Sequence, residues 1–144
     1  MPRATLNQNS PYHQDLFLES EVLSADPVRL VQILYEAAIE SITTAIGAID
    51  SGDIGLRAKK ISKAVAIVNE LATTLDLSKT GSWGRELIEL YDYMARRLHL
   101  ANFEQRPEPL HEVRSLLIAL LEAWTTGAAN INAPPGPQSV QRFA

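Results

Sequence analysis

From Leu30 to Trp124 the chain is written in one period: apolar residues return every three or four positions, interrupted at three places by short polar or glycine-bearing strings. That spacing predicts four amphipathic helices. The first opens at Asp26-Pro27, where the carboxylate can accept from orphan amides and proline at the first helical position loses no bond. It continues through Leu30, Val31, Leu34, Ala38, Ile42, Ala45, Ile46 and Ile49, and Ser51-Gly52-Asp53 closes it with a glycine suited to a left-handed cap. A second segment carries Ile61, Ala64, Val65, Val68, Leu71, Ala72 and Leu75 and is expected to end near Lys79-Thr80-Gly81. Ser82 is the expected cap of the third, which places Leu87, Leu90, Tyr91, Met94, Leu98 and Ala101 on one face and stops between Glu104 and Arg106, ahead of Pro107. Leu110, Val113, Leu116, Leu117, Leu120, Leu121 and Trp124 line the fourth, as far as Thr126-Gly127.

No stretch shows the strict alternation of a strand, and the connections between helices are short, so the predicted fold is all-α: an antiparallel up-down four-helix bundle. It divides into an N-terminal arm (residues 1–25), a helical-bundle domain (26–126) and a Pro-rich flexible tail (127–144) that contains Ala133-Pro134-Pro135-Gly136-Pro137. The length of 144 residues suits one domain with a single core.

Apolar positions exceed a single inward stripe. Ile67 reads as off the second helix's face, Ile88 and Tyr93 as off the third's, and Leu116 to Leu121 covers well over half of the fourth. Such a surplus can form surface grooves that receive amphipathic helices of a partner. It can equally be the broad apolar face of an ordinary bundle helix.

Composition narrows the chemistry. With 46% hydrophobic and 21% charged residues the chain can bury a core. A net charge of -4 gives no positive field for nucleic acid or anionic lipid, and no run approaches the roughly 18 apolar residues of a membrane span. The absence of cysteine removes disulfides, thiolate metal sites and thiol nucleophiles. Without the basic-then-apolar order of a leader in the first 25 residues, a cytoplasmic location is expected. Glu108 and His111 have the spacing used in di-iron bundles, but a site needs two such pairs and further inward carboxylates. His13 and His99 lack a partner arranged for catalysis, and Gly81 and Gly84 follow no strand as a phosphate loop would. Lys59-Lys60-x-x-Lys63 and Arg96-Arg97 read as solvated faces. No enzyme, metal or cofactor is expected.

The most distinctive string is Leu90-Tyr91-Asp92-Tyr93-Met94, followed by Arg96, Arg97, Leu98, Ala101 and Asn102. It resembles the motif of the flagellar export chaperones of the FliS family. Further matches, in order and at similar spacing from Tyr12 to Trp124, are Ala25-Asp26-Pro27, Leu34-Tyr35, Ser51-Gly52-Asp53, Ile61-Ser62-Lys63-Ala64 with Ile67, Leu75-Asp76, Glu112-Val113, Leu116-Leu117 and Ala123-Trp124. The resemblance implies a chaperone that binds the disordered C-terminal segment of flagellin in hydrophobic surface grooves, prevents its premature polymerisation in the cytoplasm and assists delivery to the type III export gate. It further implies that an arm tyrosine docks on the gate component, with Tyr12 the matching position, and that the arm, through Leu16, Phe17 and Leu18, covers an apolar groove. Expected partner-binding residues are therefore Tyr12, Ile61, Val65, Ile67, Leu87, Ile88, Tyr91, Leu98, Leu117 and Leu121. The other reading is a helical regulatory adaptor that binds another flagellar client, such as a regulator, through the same surface. Departures from the family pattern are Thr80-Gly81 where two glycines are common, Ser82-Trp83 where an acidic residue follows, Ala37 for a glycine, and Asn9. Trp83 in particular is expected to reshape the end of a groove.

Overall fold

The computed structural model describes residues 26–129. The arm with Tyr12, and the tail beyond residue 129, lie outside the described residues. Among the described residues five helices follow one another: α1 (Pro27–Ser51), α2 (Ile54–Thr73), α3 (Leu77–Thr80), α4 (Ser82–Glu104) and α5 (Glu108–Ala129). No strand occurs among the described residues.

Local chemistry sets the boundaries. The Asp26 carboxylate accepts from the Arg29 amide at 2.8 Å with Pro27 at the first position, the expected start of α1. Gly52 ends it at φ 76°, its N–H reaching the carbonyls of Ala48 and Ile49. Asp53 then caps α2 by accepting from the Leu56 amide at 3.0 Å, so one two-residue turn ends one helix and starts the next.

The second segment is shorter than its period suggests. The hydroxyls of Thr73 and Thr74 donate back to the carbonyls of Glu70 and Leu71, each at 2.7 Å, and Asp76 takes the amide of Ser78 to begin a separate turn. Side chains that bond the local backbone offer it an alternative to helix, and here they win over the apolar period. Leu75, expected on the helical stripe, therefore sits in the linker. Ser82 is likewise not the cap of α4: Gly81 occupies that position, at φ 65° and ψ -133°, with no side-chain capping bond. α4 does end ahead of Pro107, at Gln105, which adopts the left-handed conformation at φ 55°. α5 runs through Gly127 to Ala129, since one glycine costs only about 1 kcal/mol in a helix and alanines follow it.

Packing is a ring: α1 lies beside α2 and α5, α4 also lies beside α2 and α5, and α3 rests on α4. The short connections turn each long helix back along the one before it, which makes the all-α bundle. Its interior is filled by Ile42, Ile61, Leu71, Met94, Leu98, Leu110 and Leu117, all fully buried. Burying each such side chain stabilises the fold by about 1.5–3 kcal/mol.

Candidate client-binding cleft

Four helix termini converge at one end of the bundle: the starts of α1 and α4, and the ends of α2 and α5. They do not close completely. A cleft of about 320 Å³ remains, walled by Val31 and Tyr35 from α1, Leu87 and Tyr91 from α4, Leu120, Ala123 and Trp124 from α5, and the linker and α3 from Thr74 to Thr80, with Trp83 beside them. Its lining is mostly aliphatic and aromatic, with Asp76 and Lys79 as its charged members. Openings of this kind accept apolar side chains.

The two tyrosines are buried, 3% and 4% exposed, and their hydroxyls meet at 2.6 Å. Each phenol satisfies the other, so neither is left as a polar orphan in an apolar site. Burial pushes the Tyr35 hydroxyl up to about 12, partly opposed by the bond from Tyr91. Burial, then proximity to Tyr35, raises Tyr91 well above the ordinary phenol range. Both are neutral at physiological pH. At the rim the Trp124 indole N–H donates to the Val28 carbonyl at 3.1 Å, tying the end of α5 to the first turn of α1. The Asp76 carboxyl is held below its usual range, first by the Ser78 hydroxyl, then by the Ser78 amide.

The distinctive string on α4 now has a physical account. Tyr91 reaches α1 through Tyr35. Tyr93 and Arg97, which sit one turn apart, both donate to Glu112 of α5, at 2.5 and 2.7 Å. Asn102 accepts from Arg57 Nε of α2 at 2.9 Å. One helix thus carries the polar ties to all three other long helices.

Of the expected partner-binding residues, Leu87 and Tyr91 line the cleft. Ile61, Ile67, Leu98 and Leu117 belong to the core, with Ile67 only 6% exposed. The reading of Ile67 as off the inner face is corrected: it stands three residues after Ala64 and four before Leu71, on the same buried face. Val65 and Leu121 are half-buried against the core, and Ile88 is half-buried on α4. Tyr12 is outside the described residues. Periodicity alone does not single out Val31, Tyr35, Leu75, Trp83, Leu120, Ala123 or Trp124 as a site, because it reports the inward face and not where helix ends splay. The pair of tryptophans near helix termini was the available signal.

Among the described residues no group of acidic or histidine side chains is arranged to hold a metal, and no helix is long and apolar enough to cross a membrane. The fold and cleft define a helical-bundle protein with an open, mostly apolar cleft at one end. The family model "Flagellar protein FliS" matches residues 8–131. The chain is 38% identical over 108 residues to the flagellar secretion chaperone FliS of Salmonella typhimurium, covering 74% of this chain and 80% of that one. It is 33% identical over 112 residues to the flagellar secretion chaperone FliSB of Pseudomonas aeruginosa, covering 78% and 89%. With FliS of Bacillus subtilis the figures are 31% over 110 residues, 75% and 80%. The chain belongs to the FliS family of flagellar secretion chaperones, a chaperone family and not an enzyme family.

Proposed function

We propose that this protein binds the C-terminal segment of flagellin in the cytoplasm, keeps it from polymerising and assists its delivery to the export gate, performing no chemistry itself. The observation that carries the reading is the open, aromatic-lined cleft at the helix termini, in a chain of this family. A client segment disordered on its own can fold as an amphipathic helix with its apolar residues seated there. The ordering cost of that folding keeps the complex reversible, as a delivery chaperone requires. Beyond the cleft, the half-buried Ile88, Val65 and Leu121 add to the partner surface, and Tyr12 of the arm contacts the gate component.

The test is calorimetric titration with a peptide covering about the last 40 residues of flagellin from the same organism, long enough for several helical turns. One-to-one binding with a negative heat-capacity change is expected. Substituting Trp83→Asp, which places a charge in the cleft wall, is expected to abolish it. No binding at tens of micromolar by the folded protein overturns the reading and turns the search to another flagellar client.

A further inference from the structure

The walls of the cleft are unequal. Three of them are helices of more than 20 residues with core side chains along their length. The fourth is α3, a single turn with no buried residue, which packs on α4 and on no other described helix.

Among the described residues its hydrogen bonds are its own. The Asp76 carboxylate accepts from the Ser78 amide and hydroxyl at 3.0 and 2.6 Å. The amides of Lys79 and Thr80 go to the Asp76 carbonyl, and that of Gly81 to the Leu77 carbonyl. The ion pair of Lys79 is also internal, with Asp76 at 4.0 Å. Within the described residues the turn can therefore move as a unit without breaking a hydrogen bond or ion pair to the other helices.

Both flanks suit a hinge. On one side Gly81 holds φ 65° and ψ -133°, a conformation that glycine adopts readily and other residues rarely do. On the other, Leu75 is the single residue between the cap of α2 and the cap of α3. The docked position carries a cost as well. The Thr80 hydroxyl oxygen is buried with no hydrogen-bond partner among the described residues, pressed against Gly84, where an added Cβ would lie 2.7 Å from Thr80 Cβ. A buried hydroxyl without a partner favours any movement that returns it to water.

A cleft of about 320 Å³ holds a few large side chains, whereas a helix that brings them is about 10 Å across. We propose that α3 is a hinged wall of the cleft, which swings out about Leu75 and Gly81 to admit the client helix. This rests on the client reading above. It makes the empty cleft the closed state, and client binding the event that selects the open one.

The chain has no cysteine, so introduced pairs can be spin-labelled without background. Lys79→Cys with Glu122→Cys spans the cleft from α3 to α5, and Glu40→Cys with Glu122→Cys is the control across two fixed helices, all three positions being exposed. Adding the flagellin peptide is expected to lengthen the first distance by about 5 Å, one helical pitch, and leave the second unchanged. Thr80→Val, which removes the unpartnered hydroxyl at nearly constant shape, is expected to weaken peptide binding several-fold and narrow the first distance distribution of the free protein towards its short end. Peptide binding with no change in the first distance overturns the hinge. If the peptide does not bind, the client reading fails and the hinge is judged on the free protein: narrowing by Thr80→Val supports it, and one unchanged narrow distribution in both proteins overturns it.

Discussion

Tyr35 and Tyr91, on helices that lie diagonally across the bundle, share one hydrogen bond of 2.6 Å at the wall of the cleft. Fifty-six residues of sequence separate them. The bond fixes the rotation of α4 relative to α1, and with it the aromatic surface that a client would meet.

Removing one hydroxyl strands the other. Tyr91→Phe is expected to destabilise the fold by about 1–3 kcal/mol, because the Tyr35 hydroxyl is then buried without a partner. Tyr35→Phe combined with Tyr91→Phe is expected to cost less than the sum of the two single changes. Urea unfolding of all four proteins measures this. Strict additivity would show that the two hydroxyls do not interact.

The same pair governs the alkaline limit. Burial pushes the Tyr35 hydroxyl up to about 12 and raises that of Tyr91 as well. A raised folded pKa contributes stability that is complete below the unfolded value and is lost as pH rises through the folded one. Tyrosinate absorbance is therefore expected to show Tyr35 and Tyr91, two of the four tyrosines, ionising only with unfolding, above the ordinary phenol range. Ionisation of all four in a folded protein near the ordinary phenol value would contradict the buried pair.

Glu112 sets the acid limit at the α4–α5 seam. The bond from Tyr93, and then Arg97, hold its carboxyl below the usual 4.5. For a lowered pKa the contribution is present above the unfolded value and disappears as pH falls through the folded one. Glu112→Gln is expected to flatten the loss of stability below about pH 4.5, most visibly at low salt. An unaltered acid profile, measured by thermal melts across that range, would rule Glu112 out as a contributor.

Ile67 and Ile88 separate core from surface. Ile67→Asp places a charge in the core cluster and is expected to abolish cooperative unfolding or cost more than about 4 kcal/mol. Ile88→Asp, at a half-buried position, is expected to keep helicity and the melting transition while weakening the flagellin peptide. Circular dichroism and calorimetry on the two variants decide it. A folded Ile67→Asp protein would move that residue out of the core.

Much of the bundle was legible because helix caps and a three-four period are local: Asp26-Pro27 and Gly52-Asp53 act within a few residues of where they stand. The break after Thr73 was not, since competing threonine and aspartate bonds leave the apolar spacing through Leu75 intact. The face of α2 was misjudged for a related reason. Ile61, Ala64, Ile67, Val68 and Leu71 form the buried row, but Val65 fits an equally plausible spacing, and only the positions of α1 and α4 choose between them. The cleft depends on residues from four separate segments, so no single stretch could announce it. What the sequence did mark was the string from Tyr91 to Asn102, whose polar members proved to be the ties that hold α4 to its neighbours.

The cleft draws its walls from Val31 at one extreme and Trp124 at the other, and the Trp124 indole closes on a carbonyl 96 residues earlier. A ribosome making this chain therefore releases α1, α2 and α4 before the last wall exists. An unfinished or C-terminally clipped copy lacks that wall altogether. If the cleft is where a client is held, as proposed above, competence to hold it is expected only once synthesis has passed α5, and fragments of the protein are not expected to compete with complete copies for the cargo.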